Sequence, residues 1–94
     1  MEKNKVIHIK EISKDEFKVT INSSSKTGHL VRISNSVHQN LTKGKITKEQ
    51  LLLFSFEFLL DREPNTSILP SFELMEINQY FPEYVEELKK NINN

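Results

Sequence analysis

The run of apolar residues from Leu51 to Leu60 constrains the fold of this chain more than any other segment. It contains eight leucine and phenylalanine residues and is interrupted only by Ser55 and Glu57. A helix needs about 20 apolar residues to span a bilayer, so we interpret the run as a helix inside a globular domain. Because it is apolar on nearly every side, it must be covered on nearly every side. We predict a central helix over about residues 48–61, with the rest of the chain packed around it.

Local signals mark both ends of this helix. Thr47 and Gln50 have the three-residue spacing of a capping box, in which each side chain accepts a hydrogen bond from the other residue's backbone N–H. Pro64 ends the helix because proline has no N–H to donate and its ring clashes with the preceding turn. The cap therefore predicts that the helix begins immediately after Thr47.

Before this helix, apolar and polar residues alternate with the period of two that is typical of β-strands. The alternation is clearest at Phe17, Val19 and Ile21. Polar stretches separate three such runs, and their short connections favour antiparallel pairing. The predicted strands cover about residues 5–12, 16–22 and 28–34.

Helical spacing of apolar residues returns on both sides of the central helix. Ser34 or Ser36 is expected to cap a helix over residues 36–42, and Ser71 one over 72–80. Pro82 fits the start of a last helix over 83–91. The fold class is therefore α+β: an N-terminal three-stranded antiparallel sheet followed by three or four helices packed on one face. The residues expected in the core are Val19, Ile21, Val31, Ile33, Leu51, Phe54, Phe58, Ile77 and Leu88.

Length and composition indicate a single domain over residues 1–94. Of these residues, 30 are Ile, Leu, Val or Phe, which is enough for a core, and the absence of cysteine excludes disulfides and thiolate metal sites.

The charge is distributed unevenly along the chain. Residues 1–48 contain ten Lys or Arg and four Asp or Glu, whereas residues 49–94 contain three Lys or Arg and nine Asp or Glu. The basic half is the poorer in apolar residues, so we expect it to fold only against the acidic half. The N-terminal residues lack the apolar core of a signal peptide, which predicts a cytoplasmic protein.

No pattern of residues predicts catalysis, a metal site or a cofactor. His8, His29 and His38 match no common zinc spacing, and Glu57 and Asp61 lack the histidines expected beside a carboxylate-bridged metal pair. Two glycines are too few for a phosphate-binding loop. We therefore predict a protein that is not an enzyme, and a His29 that is a hydrogen-bonded residue on the inner sheet face.

Part of the chain resembles a group of short uncharacterised prokaryotic proteins. The resemblance lies in residues 55–64, 67–69, 71–72 and 80–84 and extends over the chain from His29 onward. It implies a small cytoplasmic protein in which strands precede helices. It implies no activity, cofactor or catalytic residue.

Two functions from different classes remain. The first is a protein-interaction module that forms a homodimer, because the central helix has more apolar surface than a three-stranded sheet can cover. The alternative is a nucleic-acid-binding protein that uses the basic half. The outer face of the predicted sheet, however, has no aromatic residue on which a base would stack. The candidate interface residues are Phe56, Phe72, Tyr80, Phe81 and Tyr84. The candidate basic patch consists of Lys10, Lys18, Arg32, Lys43 and Lys45.

Overall fold

The alternating residues of the first third form three strands in the computed structural model, which describes residues 6–93. These strands are β1 (Ile7–Glu11), β2 (Glu16–Asn22) and β3 (Lys26–Arg32). β2 pairs antiparallel with both neighbours, which confirms the two predicted hairpins. The third strand begins two residues earlier than predicted. The predicted first strand starts at Lys5, which lies outside the described residues.

A fourth strand corrects the prediction of a purely antiparallel, three-stranded sheet. β4 (Ser71–Glu73) pairs with β3 in parallel, in the order β1-β2-β3-β4. Parallel neighbours need a long crossover, and the helices between residues 32 and 71 provide it. Ser71 was expected to cap a helix, but its segment alternates exposed, buried and exposed as a strand does, because Phe72 points into the core.

Four α-helices and one short 3₁₀ turn make up the other elements of residues 6–93. Serine and threonine side chains cap the first two helices as predicted: Ser34 accepts from the backbone N–H of Val37, and Thr47 forms the capping box with Gln50. The helix predicted over 72–80 begins only after β4. The elements are α1 (Asn35–Thr42), α2 (Lys48–Leu60), the turn Asn65–Ser67, α3 (Glu76–Tyr80) and α4 (Tyr84–Asn93).

The core lies between α2 and the inner face of the sheet. Eight of the nine predicted core residues are buried, but Phe54 is only partly so. It lies where α2 meets α4, with its ring 6.3 Å from the ring of Tyr84, and α4 covers only one side of it. The outward-facing residues of the sheet are mostly exposed, since the helices pack on the other face. None of the helices in residues 6–93 is long and apolar enough to cross a membrane.

One polar pair is buried inside this core. The hydroxyl of Ser55 donates to the carbonyl oxygen of Leu51 at 2.7 Å and lies 2.5 Å from the hydroxyl of Tyr84. A serine hydroxyl has a single hydrogen, so Tyr84 must be the donor in the second bond. Burial raises the pKa of Tyr84, and the bond to Ser55 opposes that shift. The pair therefore ties α2 to the start of α4 without leaving a polar atom unsatisfied.

Candidate functional site

The five aromatic residues expected to form an exposed patch divide into two groups. Phe56, Phe72 and Tyr84 are buried, so their predicted place on the surface is wrong. Phe56 and Phe72 pack against each other across the core, with ring centroids 6.1 Å apart. Phe81 is partly buried, and Tyr80 is 63% exposed. The surface that remains is smaller than predicted and is centred on α3.

This surface is a concave, apolar groove between the end of α2, residues 68–69 after the 3₁₀ turn, β4 and α3. We call it the α3 groove. Its floor consists of the buried side chains of Leu59, Ile68, Phe72 and Ile77. Its rim consists of Leu69, which is 39% exposed, together with Tyr80 and Phe81. Large apolar side chains left exposed around a cavity are typical of a binding surface.

Two carboxylates, Glu63 and Glu76, also line the α3 groove. Glu76 is already engaged, because its Oε2 accepts a hydrogen bond from the backbone N–H of Glu73 at 3.0 Å. The Glu63 side chain is only partly exposed and has no hydrogen bond or ion pair with any residue in the described range 6–93. Burial raises its pKa, which means that the groove wall makes its negative charge less favourable.

A buried network behind the groove holds the rim in place. His29 lies between the carbonyl oxygen of Leu69, 2.7 Å from its Nδ1, and the hydroxyl of Thr27, 2.9 Å from its Nε2. The carbonyl can only accept, so Nδ1 is the donor. Asn65 donates to the Thr27 hydroxyl and to the carbonyl of Ser25, each at 2.9 Å. These bonds attach the segment that ends in Leu69 to β3 and the turn before it.

The prediction for His29 is confirmed, but its role in the site was not foreseen. Its burial and inward direction follow from the alternation in β3. Its partner Leu69 lies 40 residues further along the chain. No local pattern connects the two positions, because the contact exists only after β4 joins the sheet.

Arg62, the residue before Glu63, is engaged on the other side of α2. Its guanidinium lies 3.6 Å from the centre of the Phe58 ring, and its Nε donates to Glu83 at 3.0 Å. The pKa of Glu83 is lowered first by a hydrogen bond from its own backbone N–H and then by Arg62. The charge of Arg62 is thus directed toward the end of α2 and the start of α4, and Arg62 does not line the α3 groove.

The predicted basic patch is not a continuous surface. Lys10, Lys18 and Arg32 lie on the outer sheet face, and Arg32 is paired with Glu73 at 3.4 Å. Lys43 and Lys45 lie between α1 and α2 and border the end of α4, where Lys45 donates to Asn93 at 3.1 Å. The five residues therefore form two separate groups, one on the sheet and one beside the helices.

Across residues 6–93, no group of three or more His, Asp and Glu side chains is placed to hold a metal ion. A scan of the chain against protein families, a search among curated proteins and a search among solved structures give no match. Function is therefore inferred from the α3 groove and from the distribution of charge around it.

Proposed function

We propose that the protein is a small, non-enzymatic protein-interaction module and that the α3 groove is its contact surface. The observation that carries this proposal is the position of Leu69 and Tyr80. They are two of the three large hydrophobic side chains that are exposed in residues 6–93, and both lie on the rim of this groove. Burying exposed apolar surface is the main favourable contribution to most protein association.

The arrangement of the groove walls also supports the view that the groove is already formed before a partner binds. Its wall is formed by α2, β4, α3 and residues 68–69, and the His29 network attaches its Leu69 side to the sheet. A surface that is already ordered loses little conformational entropy on binding, and this favours affinity.

Charge favours a different protein over a second copy as the partner. In a twofold dimer the same surface of each chain meets its equivalent. Two α3 grooves that faced each other would bring Glu63 and Glu76 of one copy toward the same residues of the other, and like charges across an interface oppose association. The predicted homodimer therefore becomes an alternative outcome of the test.

Affinity capture from native lysate tests the proposal, with the captured partner then purified and titrated. The groove variant is Leu69→Ser with Tyr80→Ser. Its matched control is Ile12→Ser, which removes the third exposed hydrophobic residue, 51% exposed and outside the groove. We expect the wild type and the control to bind the purified partner equally and the groove variant to bind at least tenfold more weakly. Equal binding by all three proteins would contradict the proposal.

Sedimentation of the purified chain distinguishes self-association. We expect a single species of 11.0 kDa at micromolar concentration. A dimer that dissociates in the groove variant would keep the α3 groove as the interface but make a second copy its occupant.

A second candidate function, nucleic-acid binding, is supported by one observation on the sheet. The register places Lys10 directly opposite Lys18 on the outer face. Like charges in this position are unfavourable unless an anion lies between them, and phosphates would supply one. We expect Lys10→Gln with Lys18→Gln to abolish a salt-sensitive shift of labelled RNA or DNA, and Lys43→Gln with Lys45→Gln to leave it intact. The absence of any shift with the wild type would reject this candidate.

A further inference from the structure

We infer that the α3 groove selects a peptide segment in which an apolar side chain lies next to a lysine or arginine, with Glu63 binding the cation. This inference rests on the proposed function and specifies the chemistry of the partner. The apolar side chain would pack on the exposed side chains of Leu69 and Tyr80, over the floor formed by Phe72 and Ile77. The charged group would remain at the edge, beside the carboxylate.

The first argument is the sign of the charge around the groove. Two carboxylic acid residues, Glu63 and Glu76, line it, and no lysine or arginine does. Arg62 is adjacent in sequence but is held by Phe58 and Glu83. A partner with a positive charge is therefore attracted, and one with a negative charge is repelled.

The second argument is the state of Glu63 itself. Within residues 6–93 its carboxylate has no hydrogen-bond or ion-pair partner, whereas Glu76 accepts a backbone hydrogen bond. A partly buried carboxylate is disfavoured unless a cation or donor compensates it. Glu63 is thus the acceptor in the groove that gains most from a guanidinium or ammonium group.

Burial of Glu63 also makes the interaction selective. The Glu63 side chain is only partly exposed, so an ion pair formed here is screened less by water than one on an open surface. A neutral apolar segment would cover the carboxylate without compensating it and would bind less well. The groove therefore discriminates between segments of equal hydrophobicity by their charge.

Selection of a random peptide library displayed on phage tests this inference. The targets are the wild type, Glu63→Gln and the control Glu86→Gln, which changes an exposed residue of α4. We expect the wild type and the control to enrich peptides with Lys or Arg within two positions of a Leu, Ile, Phe or Met. We expect Glu63→Gln to lose this bias and to bind the selected peptides about fivefold to tenfold more weakly.

The outcomes separate this inference from the proposed function. Peptides that depend on Leu69 and Tyr80 but show no bias toward Lys or Arg would overturn the inference and leave the proposed function intact. Peptides that are equally tight on Glu63→Gln would overturn it as well. If no enriched peptide loses affinity in the variant with Leu69→Ser and Tyr80→Ser, the proposed function itself fails. Circular dichroism of each variant confirms that it is folded before binding is compared.

Discussion

The Nδ1 atom of His29 lies 2.7 Å from the carbonyl oxygen of Leu69 and so connects an inner residue of the sheet to the rim of the α3 groove. Removal of this side chain should disturb both stability and binding. We expect His29→Ala to lower the free energy of unfolding by about 1–3 kcal/mol, because the Leu69 carbonyl loses its side-chain partner and the Thr27 hydroxyl keeps only Asn65. Urea unfolding measures the loss, and hydrogen exchange of residues 65–69 reports the loosening of the rim. The same substitution at His8, on the exposed face of β1, is the control and should change neither.

The Ser55–Tyr84 pair should respond unequally to removal of its two members. Ser55→Ala leaves the buried Tyr84 hydroxyl without its acceptor, and we expect it to cost about 1–3 kcal/mol. Tyr84→Phe removes the donor, but Ser55 keeps its bond to the Leu51 carbonyl, so the cost should be nearer 1 kcal/mol. A double-mutant cycle by chemical unfolding measures the coupling. Equal costs for the two single variants, with no coupling, would contradict the hydrogen-bond directions described above.

We expect the contribution of Glu63 to the stability of the fold to depend on pH. Its carboxyl ionises near its ordinary pKa of 4.5 in the unfolded chain, but at higher pH in the folded one. The unfolded state therefore binds fewer protons in that interval, and stability falls as the pH rises through it. We expect Glu63→Gln to be more stable than the wild type at pH 7 and nearly equal to it below pH 4. Unfolding in urea at both pH values tests this, with Glu11→Gln on the exposed end of β1 as the control.

The capping box should have a measurable effect on α2. Thr47→Ala removes the acceptor for the Gln50 N–H, 3.0 Å away, and we expect a loss of about 1 kcal/mol. Gln50→Ala removes the side-chain oxygen that accepts from the Thr47 N–H at 2.9 Å. We expect a smaller loss of stability from this substitution, because the Thr47 N–H can bind water instead. Thr66→Ala in an exposed position is the matched control. An unfolding midpoint for Thr47→Ala that equals the control would show that the cap does not stabilise the helix.

Phe58 and Phe54 lie on the same helix but should differ in importance. Phe58 is 5% exposed, and its ring contacts Phe81, Tyr84 and Arg62. Phe58→Ala should cost about 3–5 kcal/mol, because it leaves a cavity. Phe54→Ala should cost clearly less, since its ring is partly exposed already. Comparison of the two unfolding free energies gives the result, and a larger loss at position 54 would contradict the packing described for α2.

Local features of the chain were the ones that sequence could predict. The cap at Thr47, the cap at Ser34 and the alternation in β2 each depend on residues within a few positions of one another. The three-residue strand β4 was missed because it is too short for a period of two to be recognised. Ser71 also had a plausible competing role as a helix cap.

The candidate site was only partly predictable for a related reason. Tyr80 and Phe81 were expected at a surface and do line the groove, but Phe56, Phe72 and Tyr84 are buried. The spacing of these apolar residues assigns them to one face of a helix or strand. It does not show how completely other elements cover that face. Phe56 is covered by His29 of β3 and by Phe72 of β4, and the sequence did not reveal β4.

The parallel pairing of β3 with β4 also determines when the groove is built. The hairpins β1–β2 and β2–β3 join residues that are near in sequence, whereas Arg32 and Glu73 are 41 positions apart. Closing such a long loop is a slow step in folding. Phe72 and Leu69 reach their places only with that closure, so we expect the groove to form late in folding. A chain in which only the hairpins and α2 had formed would lack the α3 groove, so we expect binding by the proposed partner to report on completely folded molecules.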